Sequence, residues 1–218
     1  LANAITDQSI DEDSALSFAV PTNTFDDVDA GDTLTYTATL GDGSALPSWL
    51  SFNATTRTFT GTPLNANVGS ITVKVTVTDG SSATVSDTFT ITIDNTNDTP
   101  TVANAIADQS VNEDSALSFA VPSNTFDDVD TGDSLTYAAT LSDGSALPSW
   151  LSFNTSTRTF TGTPLNANVG DITVKVTATD GSSATVSDTF TITVANTNDT
   201  PTLANAITDQ SIDEDSAL

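Results

Sequence analysis

Residues 71–78 read Ile71-Thr72-Val73-Lys74-Val75-Thr76-Val77-Thr78, a strict alternation of apolar and polar side chains. An apolar residue at every second position is typical of a β-strand with one buried and one solvated face. The strand is followed at once by Asp79-Gly80, which favours a tight turn. This part of the chain therefore predicts a long strand that covers the core of a β-protein.

The same alternation continues on both sides of this strand. Working outward, we predict six further strands around the apolar residues of Ile5–Ile10, Leu16–Val20, Leu34–Leu40, Leu50–Phe52, Phe59 and Val85–Ile93. Turn residues such as Asp42-Gly43 and Gly61-Thr62-Pro63 separate several of them. Because no segment shows helical periodicity, the sequence predicts an all-β fold.

The whole pattern recurs with a period of 101 residues. The opening Leu1-Ala2-Asn3-Ala4-Ile5 returns as Val102–Ile106 and as Leu203–Ile207. A period of this length corresponds to one domain per copy and not to a solenoid unit. We therefore expect a piece of a longer array, with a first repeat over 1–98, a second over 99–199, and the first strand of a truncated third repeat over 200–218.

Seven short strands in about 100 residues match the size of an immunoglobulin-like sandwich. We predict two tandem, seven-stranded, antiparallel β-sandwiches. Domains of this length can bury an adequate core without covalent staples. That capacity is needed here, because the chain contains no cysteine.

The charge balance narrows the class of partner. The 218 residues include 29 Asp and Glu but only four Lys and Arg, a formal net charge of −25. Nucleic acids and anionic membranes would repel such a chain, so neither is an expected partner. With no histidine and no cysteine, metals that prefer imidazole or thiolate ligands have none. The composition favours an extracellular surface, hard cations, or both.

One acidic loop concentrates this charge. Asp26, Asp27, Asp29 and Asp32 follow one another closely, with no Lys or Arg near them in sequence. Two like charges 4 Å apart repel by roughly 1 kcal/mol in water, and by several times more near a protein surface. A divalent cation reverses that interaction, and calcium takes six to eight oxygen ligands, whereas magnesium demands a more rigid octahedral site. The loop therefore predicts a calcium site.

Acidic residues also favour turns and solvated surfaces without any ion. We assign that ordinary role to Asp7, Asp42 and Asp87 and to their copies in the second repeat. A ligand role is instead predicted for residues that cluster where one repeat joins the next, namely Asp27, Asp29, Asn97 and Asp98.

These residues resemble the motifs of cadherin repeats. The matches are the linker Asn95-Thr96-Asn97-Asp98, the loop Asp128-Val129-Asp130-Thr131-Gly132, Glu12 near the first strand, and Asp180-Gly181 after the sixth. The sequence is more similar still to bacterial cadherin-like repeats of the dystroglycan type, which are Ig-like tandem repeats of large surface adhesins. Leu46-Pro47-Ser48-Trp49-Leu50 and Thr58-Phe59-Thr60-Gly61-Thr62-Pro63 carry that similarity, which covers nearly all of both copies.

The resemblance implies calcium between consecutive repeats. The ligands that it implies at the first joint are Glu12, Asn95, Asn97, Asp98, Asp128, Asp130 and Asp180. A following joint would use Glu113, Asn196, Asn198 and Asp199, and a preceding one Asp27, Asp29 and Asp79. The Asp-Arg-Glu motif of animal cadherins has no counterpart, since Thr60-Gly61-Thr62-Pro63 stands in its place. We therefore expect fewer ions per joint than animal cadherins hold, about one or two.

Trp49 admits two interpretations. It either caps the end of the core beside Phe52 and Phe59, or it is exposed as a platform on which a sugar ring stacks. We favour the core, because a small sandwich needs one large aromatic residue and each repeat has only this tryptophan. The same reasoning applies to Trp150.

No enzymatic activity is expected. The acidic residues lie in loops, the usual nucleophile–base pairs need His or Cys, and Lys74 lies mid-strand opposite the apolar face. No apolar run approaches the roughly 18 residues of a membrane-spanning helix. We predict a calcium-rigidified extender repeat of a large bacterial adhesin, surface-anchored or secreted, whose partners are calcium and neighbouring repeats. The alternative is a calcium-dependent adhesion or carbohydrate-binding module that contacts sugars or identical repeats on another cell.

Overall fold

A computed structural model of the protein describes residues 2–29 and 33–215. Within this part of the chain, each sequence repeat forms a sandwich of one four-stranded and one three-stranded sheet. The prediction of an all-β fold with tandem Ig-like sandwiches is confirmed. Its physical basis is the period-two alternation, which gives each strand one apolar face to bury against the opposite sheet.

The first repeat has seven strands among its described residues: β1 Gln8–Asp11, β2 Leu16–Ala19, β3 Thr35–Leu40, β4 Leu50–Asn53, β5 Thr58–Gly61, β6 Gly69–Thr78 and β7 Thr84–Asp94. The larger sheet has the order β1-β7-β6-β3 and the smaller one β2-β5-β4. A single 3₁₀ turn, Asn65–Asn67, connects β5 to β6. Every predicted strand of this repeat is present.

The second repeat reproduces this arrangement. Its strands are β8 Thr101–Val102, β9 Gln109–Asn112, β10 Leu117–Ala120, β11 Phe126–Asp127, β12 Thr136–Leu141, β13 Leu151–Asn154, β14 Thr159–Gly162, β15 Gly170–Thr179 and β16 Thr185–Ala195. The larger sheet is β12-β15-β16-β9 and the smaller one β10-β14-β13, while β8 and β11 form a short extra pair. A second 3₁₀ turn covers Asn166–Asn168.

One pair of strands in each larger sheet departs from the antiparallel prediction. Strand β1 runs parallel to β7, with Gln8 opposite Ile91, and β9 runs parallel to β16 in the same way. A parallel pair needs a long connection, and the intervening strands of the repeat supply it. The alternation of residues reports which face is buried but not the direction of the neighbouring strand.

The chain divides into two compact units that do not follow the repeats strictly. The first unit contains the chain up to Thr101 together with Asp127–Leu135 and Thr179–Thr185, and the second contains the remainder. Two loops of the second sequence repeat therefore belong to the compact unit of the first repeat. The boundaries predicted at residues 98 and 199 stay predictions.

The core of the first repeat is built around Phe59, which is fully buried. Its ring lies 4.5 Å from that of Phe52 in the same sheet and 5.6 Å from that of Phe89 in the opposite sheet, the latter edge to face. Trp49 is half-buried and packs against this cluster, in agreement with the core interpretation. Burying a phenylalanine stabilises a fold by roughly 1.5–3 kcal/mol, so these rings hold the two sheets together.

Gly61 has a different role from the turn predicted for it. It is the last residue of β5 and lies opposite both Leu16 and Leu50. A Cβ atom at this position would lie 2.0 Å from the carbonyl oxygen of Trp49. Glycine is therefore required because the backbone of the neighbouring strand approaches too closely for any side chain.

Two of the acidic residues to which we assigned no ligand role, Asp7 and Asp87, accept hydrogen bonds from backbone N–H groups. The Asp87 carboxylate accepts a hydrogen bond from the Ile5 N–H, and the Asp7 carboxylate accepts one from Thr90, both at 2.7 Å. These two bonds fasten the start of the chain to β7. The second repeat forms the same pair of bonds through its own aspartates.

Residues 200–215 contain no strand, whereas we predicted a first strand there. In both repeats the corresponding strand pairs with the last strand of its own repeat, about 80 residues further along. No such partner follows within the described chain. The final residues of this segment, 216–218, lie outside the described residues, as do Ala30, Gly31 and Asp32 of the first acidic loop.

Candidate metal centre

Glu12 is a charged residue in an almost fully buried position, with 1% of its surface exposed. Its Oε1 accepts a hydrogen bond from the Thr96 N–H at 3.0 Å, which ties the first repeat to the linker. Its Oε2 is also buried and has no hydrogen-bond partner among the described residues. A buried carboxylate with an unpaired oxygen is costly unless a positively charged group lies beside it.

Two further carboxylates lie close to that of Glu12. The ligand atoms of Glu12, Asp98 and Asp130 all lie within 4.8 Å of one another. Asp130 is itself buried, with 7% exposed, and its Oδ2 accepts a hydrogen bond from the Asp98 N–H at 2.8 Å. Three carboxylates at such distances repel one another by several kcal/mol near a protein surface. A divalent cation among them would convert this repulsion into attraction.

A second acidic group shares Asp130 with the first. It consists of Asp128, Asp130 and Asp133, again with ligand atoms within 4.8 Å. Asp128 accepts a hydrogen bond from the Asp130 N–H at 3.0 Å through Oδ1. Its Oδ2 is buried and has no hydrogen-bond partner among the described residues. The loop therefore contains a second unpaired buried oxygen beside the first group.

Asp180 is held in the same region by the linker. Its Oδ2 accepts a hydrogen bond from Nδ2 of Asn97 at 3.0 Å, and its Oδ1 accepts from the N–H groups of Ser182 and Ala184. The hydrogen bond from Asn97 is the main reason that the pKa of Asp180 lies below its ordinary value, and the backbone bonds add to it. Asp180 is therefore anionic at neutral pH.

The structure brings together some, but not all, of the ligands predicted for the first joint. The structure brings Glu12, Asp98, Asp128 and Asp130 into the acidic groups and connects Asn97 to Asp180. Asn95 is exposed on the linker. All of these residues belong to the first compact unit, since loops 127–135 and 179–185 are part of it.

The residues predicted for the following joint show part of the same arrangement. Glu113 is 1% exposed, its Oε1 accepts from the Thr197 N–H at 2.7 Å, and its Oε2 is buried without a partner among the described residues. Among the described residues, Asn196 and Asn198 donate to nearby backbone carbonyls alone, and Asp199 is exposed. Within 2–29 and 33–215, no group of three carboxylates includes Glu113.

The residues predicted for a preceding joint repeat the loop geometry of the second repeat. Asp27 accepts from the Asp29 N–H at 2.9 Å, as Asp128 does from Asp130. Asp79 accepts from the N–H groups of Ser81 and Ala83, and with Asp27 it lines a cavity of about 140 Å³. Asp32 of this loop lies outside the described residues.

Two residues near the acidic groups were not predicted. The sequence motifs did not identify Asp133 as a candidate ligand, although it is acidic and directly follows the loop 128–132. Asn65 donates from Nδ2 to Asp98 at 3.2 Å and to Asp130 at 3.0 Å. Nothing in its own sequence surroundings distinguishes it, because the contact depends on residues 33 and 65 positions away.

The chemistry of this site fits calcium. Its candidate ligands are carboxylate oxygens, two of which are buried without a partner among the described residues, and the chain has no His or Cys to favour a softer metal. Such a set, spread over a loop and a linker, suits the longer and more variable bonds of calcium better than the compact octahedron of magnesium.

Comparison with known families agrees with the two-sandwich architecture. The family model described as Putative Ig domain matches residues 1–94 and again 99–195. The chain belongs to this family. The two matches are the Putative Ig domain repeats that the period of 101 residues indicated.

Curated relatives of this Putative Ig domain pair include adhesins. The serine-rich adhesin for platelets of Staphylococcus aureus strain USA300 is 34% identical over 147 residues, covering 67% of this chain and 6% of that protein. The protein of the same name from strain MRSA252 is also 34% identical over 147 residues, covering 67% of this chain and 10% of that protein. The chain thus spans about a tenth or less of these relatives and is homologous to one segment of an adhesin.

Solved structures with the same fold include cadherin repeats. Mouse cadherin-23 EC22-24 aligns with a TM-score of 0.61 at 19% identity, over 88% of this chain and 63% of that one. Human mucin-like protocadherin EC1-2 aligns with a TM-score of 0.58 at 15% identity, over 89% of this chain and 97% of that one. At this identity the likeness establishes the fold, and the Putative Ig domain repeats are therefore cadherin-like sandwiches. In the described part of the chain, no helix is long and apolar enough to cross a membrane.

Proposed function

We propose that this chain is a calcium-binding extender segment of an extracellular bacterial adhesin. The observation that carries the proposal is the buried Glu12 carboxylate: its Oε2 has no partner among the described residues, and one of its oxygens lies within 4.8 Å of carboxylate oxygens of Asp98 and Asp130. Homology to a staphylococcal adhesin supports the adhesin context and an extracellular location. The high density of acidic residues and the small number of Lys and Arg residues are consistent with an extracellular location.

The residues of the chain have distinct roles in this proposal. Glu12 anchors the linker through the Thr96 N–H, and Asp98 anchors the acidic loop through its own N–H to Asp130. Glu12, Asp98, Asp128 and Asp130 would hold calcium, with Asp133 beside them, and Asn97 would orient Asp180. Calcium supplies the positive charge that lets these carboxylates crowd together.

Binding of this kind would stiffen the chain. The ligands come from three segments distant in sequence, near residues 12, 98 and 130. An ion that binds only when all three segments are assembled stabilises the assembled state by a free energy that grows with the logarithm of the ion concentration over its dissociation constant. We infer that calcium converts a jointed chain into a rod that projects a distant binding domain from the cell.

The alternative of a carbohydrate-binding module has less support. Stacking of a sugar ring needs an exposed aromatic face, but Trp49 is half-buried and packs against the core of the first repeat. Calcium-dependent contact between identical repeats has no particular surface to favour it. The extender role is the function that the arrangement of acidic residues supports best.

Calorimetric calcium titration of the 218-residue chain, paired with small-angle scattering, tests the proposal. The wild-type chain should bind calcium. Its maximum dimension should be larger, and the spread of its dimensions smaller, with calcium than with chelator. The Asp130→Asn variant should lose both effects, since Asp130 belongs to both acidic groups. Asp42→Asn serves as the control, because Asp42 is an exposed turn residue bonded to Ser44. Identical scattering of wild-type protein in calcium and in chelator would refute stiffening.

A further inference from the structure

The side chain of Asn65 lies between two carboxylates of the acidic site. Its Nδ2 donates hydrogen bonds to Oδ2 of Asp98 at 3.2 Å and to Oδ1 of Asp130 at 3.0 Å. The residue is half-buried and opens the 3₁₀ turn of the first repeat. The positive end of a neutral amide therefore stands where two negative groups would otherwise face each other directly.

The turn keeps Asn65 in place without help from the acidic residues. Oδ1 of Asn67 accepts from the Leu64 N–H at 2.9 Å, and the Asn67 N–H donates to the Leu64 carbonyl at 2.7 Å. The preceding Pro63 carbonyl accepts from the N–H of Asp13, which is the residue after Glu12. The turn is thus fixed both internally and to the segment that carries Glu12, so the backbone that carries Asn65 is positioned in advance.

The second repeat shows which part of this arrangement depends on the complete site. Asn166 occupies the position of Asn65, and its Nδ2 donates to Oδ2 of Asp199 at 3.0 Å. This is the only carboxylate contact of Asn166 within the described residues. The turn alone accounts for the bond to the linker aspartate, whereas the bond to a second carboxylate occurs only where the loop of Asp130 is present.

We infer that Asn65 is a placeholder for the cation and an additional ligand of the same site, an inference that rests on the proposed function. An amide presents two N–H donors on one side and an oxygen on the other, with nearly the same shape. Rotation of the amide by about 180° exchanges the donors for the oxygen, which is a ligand type that calcium accepts. Without calcium the donors offset the repulsion between Asp98 and Asp130, and with calcium the oxygen faces the ion.

A placeholder has a measurable consequence. By stabilising the calcium-free state, Asn65 weakens calcium binding relative to a site with a carboxylate at this position, since binding must replace the amide hydrogen bonds. The affinity of calcium sites rises with the number of charged ligands. A single negative charge at position 65 should therefore move calcium-free stability and calcium affinity in opposite directions.

The Asn65→Asp variant of the full chain tests this, with Asn53→Asp as its matched control. Asn53 is exposed, and its Oδ1 accepts from the N–H groups of Thr55 and Thr56, a role that aspartate retains. In chelator, Asn65→Asp should melt about 2–8 °C lower than Asn53→Asp because a third charge joins two others. In calorimetry with CaCl₂, it should bind calcium about tenfold more tightly than wild type.

Other outcomes would overturn the inference. Equal melting of the two variants in chelator removes the placeholder role, and unchanged calcium affinity removes the ligand role. Equal destabilisation with and without calcium would show that Asn65 merely supports the turn. If the wild-type chain binds no calcium, the proposed function and the ligand role fail together, while the comparison in chelator still decides the placeholder role by itself.

Discussion

The backbone N–H of Asp98 donates a hydrogen bond to Oδ2 of Asp130 at 2.8 Å, which joins the linker to an acidic loop 32 residues further along the chain. The same linker is held on its other side by Glu12, through the Thr96 N–H. A hydrogen bond from a backbone N–H to a carboxylate is stronger than one between neutral groups. The linker thus concentrates negative charge at one place, and the consequences can be measured.

The first prediction concerns Glu12→Gln. Glutamine retains an oxygen acceptor for the Thr96 N–H and replaces the unpaired oxygen with a neutral N–H donor. We expect a higher melting temperature in chelator, because one charge of the cluster is removed, and a calcium affinity at least about tenfold weaker. Differential scanning calorimetry and calcium titration measure the two effects. Asp143→Asn, which removes an exposed turn charge, should leave calcium affinity unchanged. A Glu12→Gln chain that binds calcium like wild type would exclude Glu12 as a ligand.

The second prediction concerns the aromatic core. Phe59→Ala should destabilise the first repeat by about 3–5 kcal/mol, because a fully buried ring that contacts both sheets leaves a cavity. Phe160→Ala should have a similar effect on the second repeat, where the equivalent ring is equally buried. Urea unfolding followed by circular dichroism provides the measurement, and a loss below about 1 kcal/mol for either variant would contradict the role of these rings.

The third prediction concerns Gly61→Ala. The added Cβ would lie 2.0 Å from the Trp49 carbonyl oxygen, and a backbone atom cannot rotate away as a side chain can. Strands β4 and β5 must therefore separate, and we expect a loss of about 3 kcal/mol or more in unfolding free energy. Thr62→Ala, one residue further along and exposed, is the control and should remain within about 0.5 kcal/mol of wild type. Equal stability of the two variants would show that this close approach is not present in solution.

The fourth prediction concerns acid sensitivity in the turn after β3. The Ser44 hydroxyl and N–H donate to Asp42 at 2.7 and 2.9 Å, and these bonds lower the pKa of Asp42 from its ordinary value. A lowered folded-state pKa contributes stability above the unfolded-state pKa of about 3.9, and this stability is lost as pH falls through the folded pKa. Ser44→Ala should therefore raise the pKa of Asp42.

Carboxyl NMR titration measures this change directly, and Asp143 supplies an internal reference. The pKa of Asp143 is lowered by Ser145 in the same way, and it should stay unchanged in the Ser44→Ala chain. The stability difference between variant and wild type should be present at neutral pH and be lost as the pH falls through the folded-state pKa of Asp42. An unchanged pKa of Asp42 in the Ser44→Ala chain would show that the hydrogen bond from the Ser44 hydroxyl does not form.

Much of the fold could be predicted because burial on a strand has a period of two. The alternation over 71–78 continues in the structure as the buried Val73, Val75 and Val77 of β6. The repeat period likewise predicted a second sandwich with matching strands. The parallel direction of β1 and the close approach at Gly61 were not predicted, since both depend on which strand lies alongside and not on any local pattern.

The candidate site divides in the same way. Resemblance to cadherin motifs identified Glu12, Asp98 and Asp130 as members of one site, and the structure places their ligand atoms together. Calcium itself remains a proposal. Asn65 was missed because its relation to the acidic residues arises from a turn that is remote in sequence.

The sequence by itself determined that this chain is β-structured, duplicated, and crowded with oxygen ligands, because periodicity, repetition and charge are properties of residue order alone. Only the tertiary structure decided which oxygens are left unpaired and which neutral side chain stands among them. Burial and hydrogen bonding depend on every segment that surrounds an atom, and for Glu12 those segments come from the linker and from a loop more than 100 residues away.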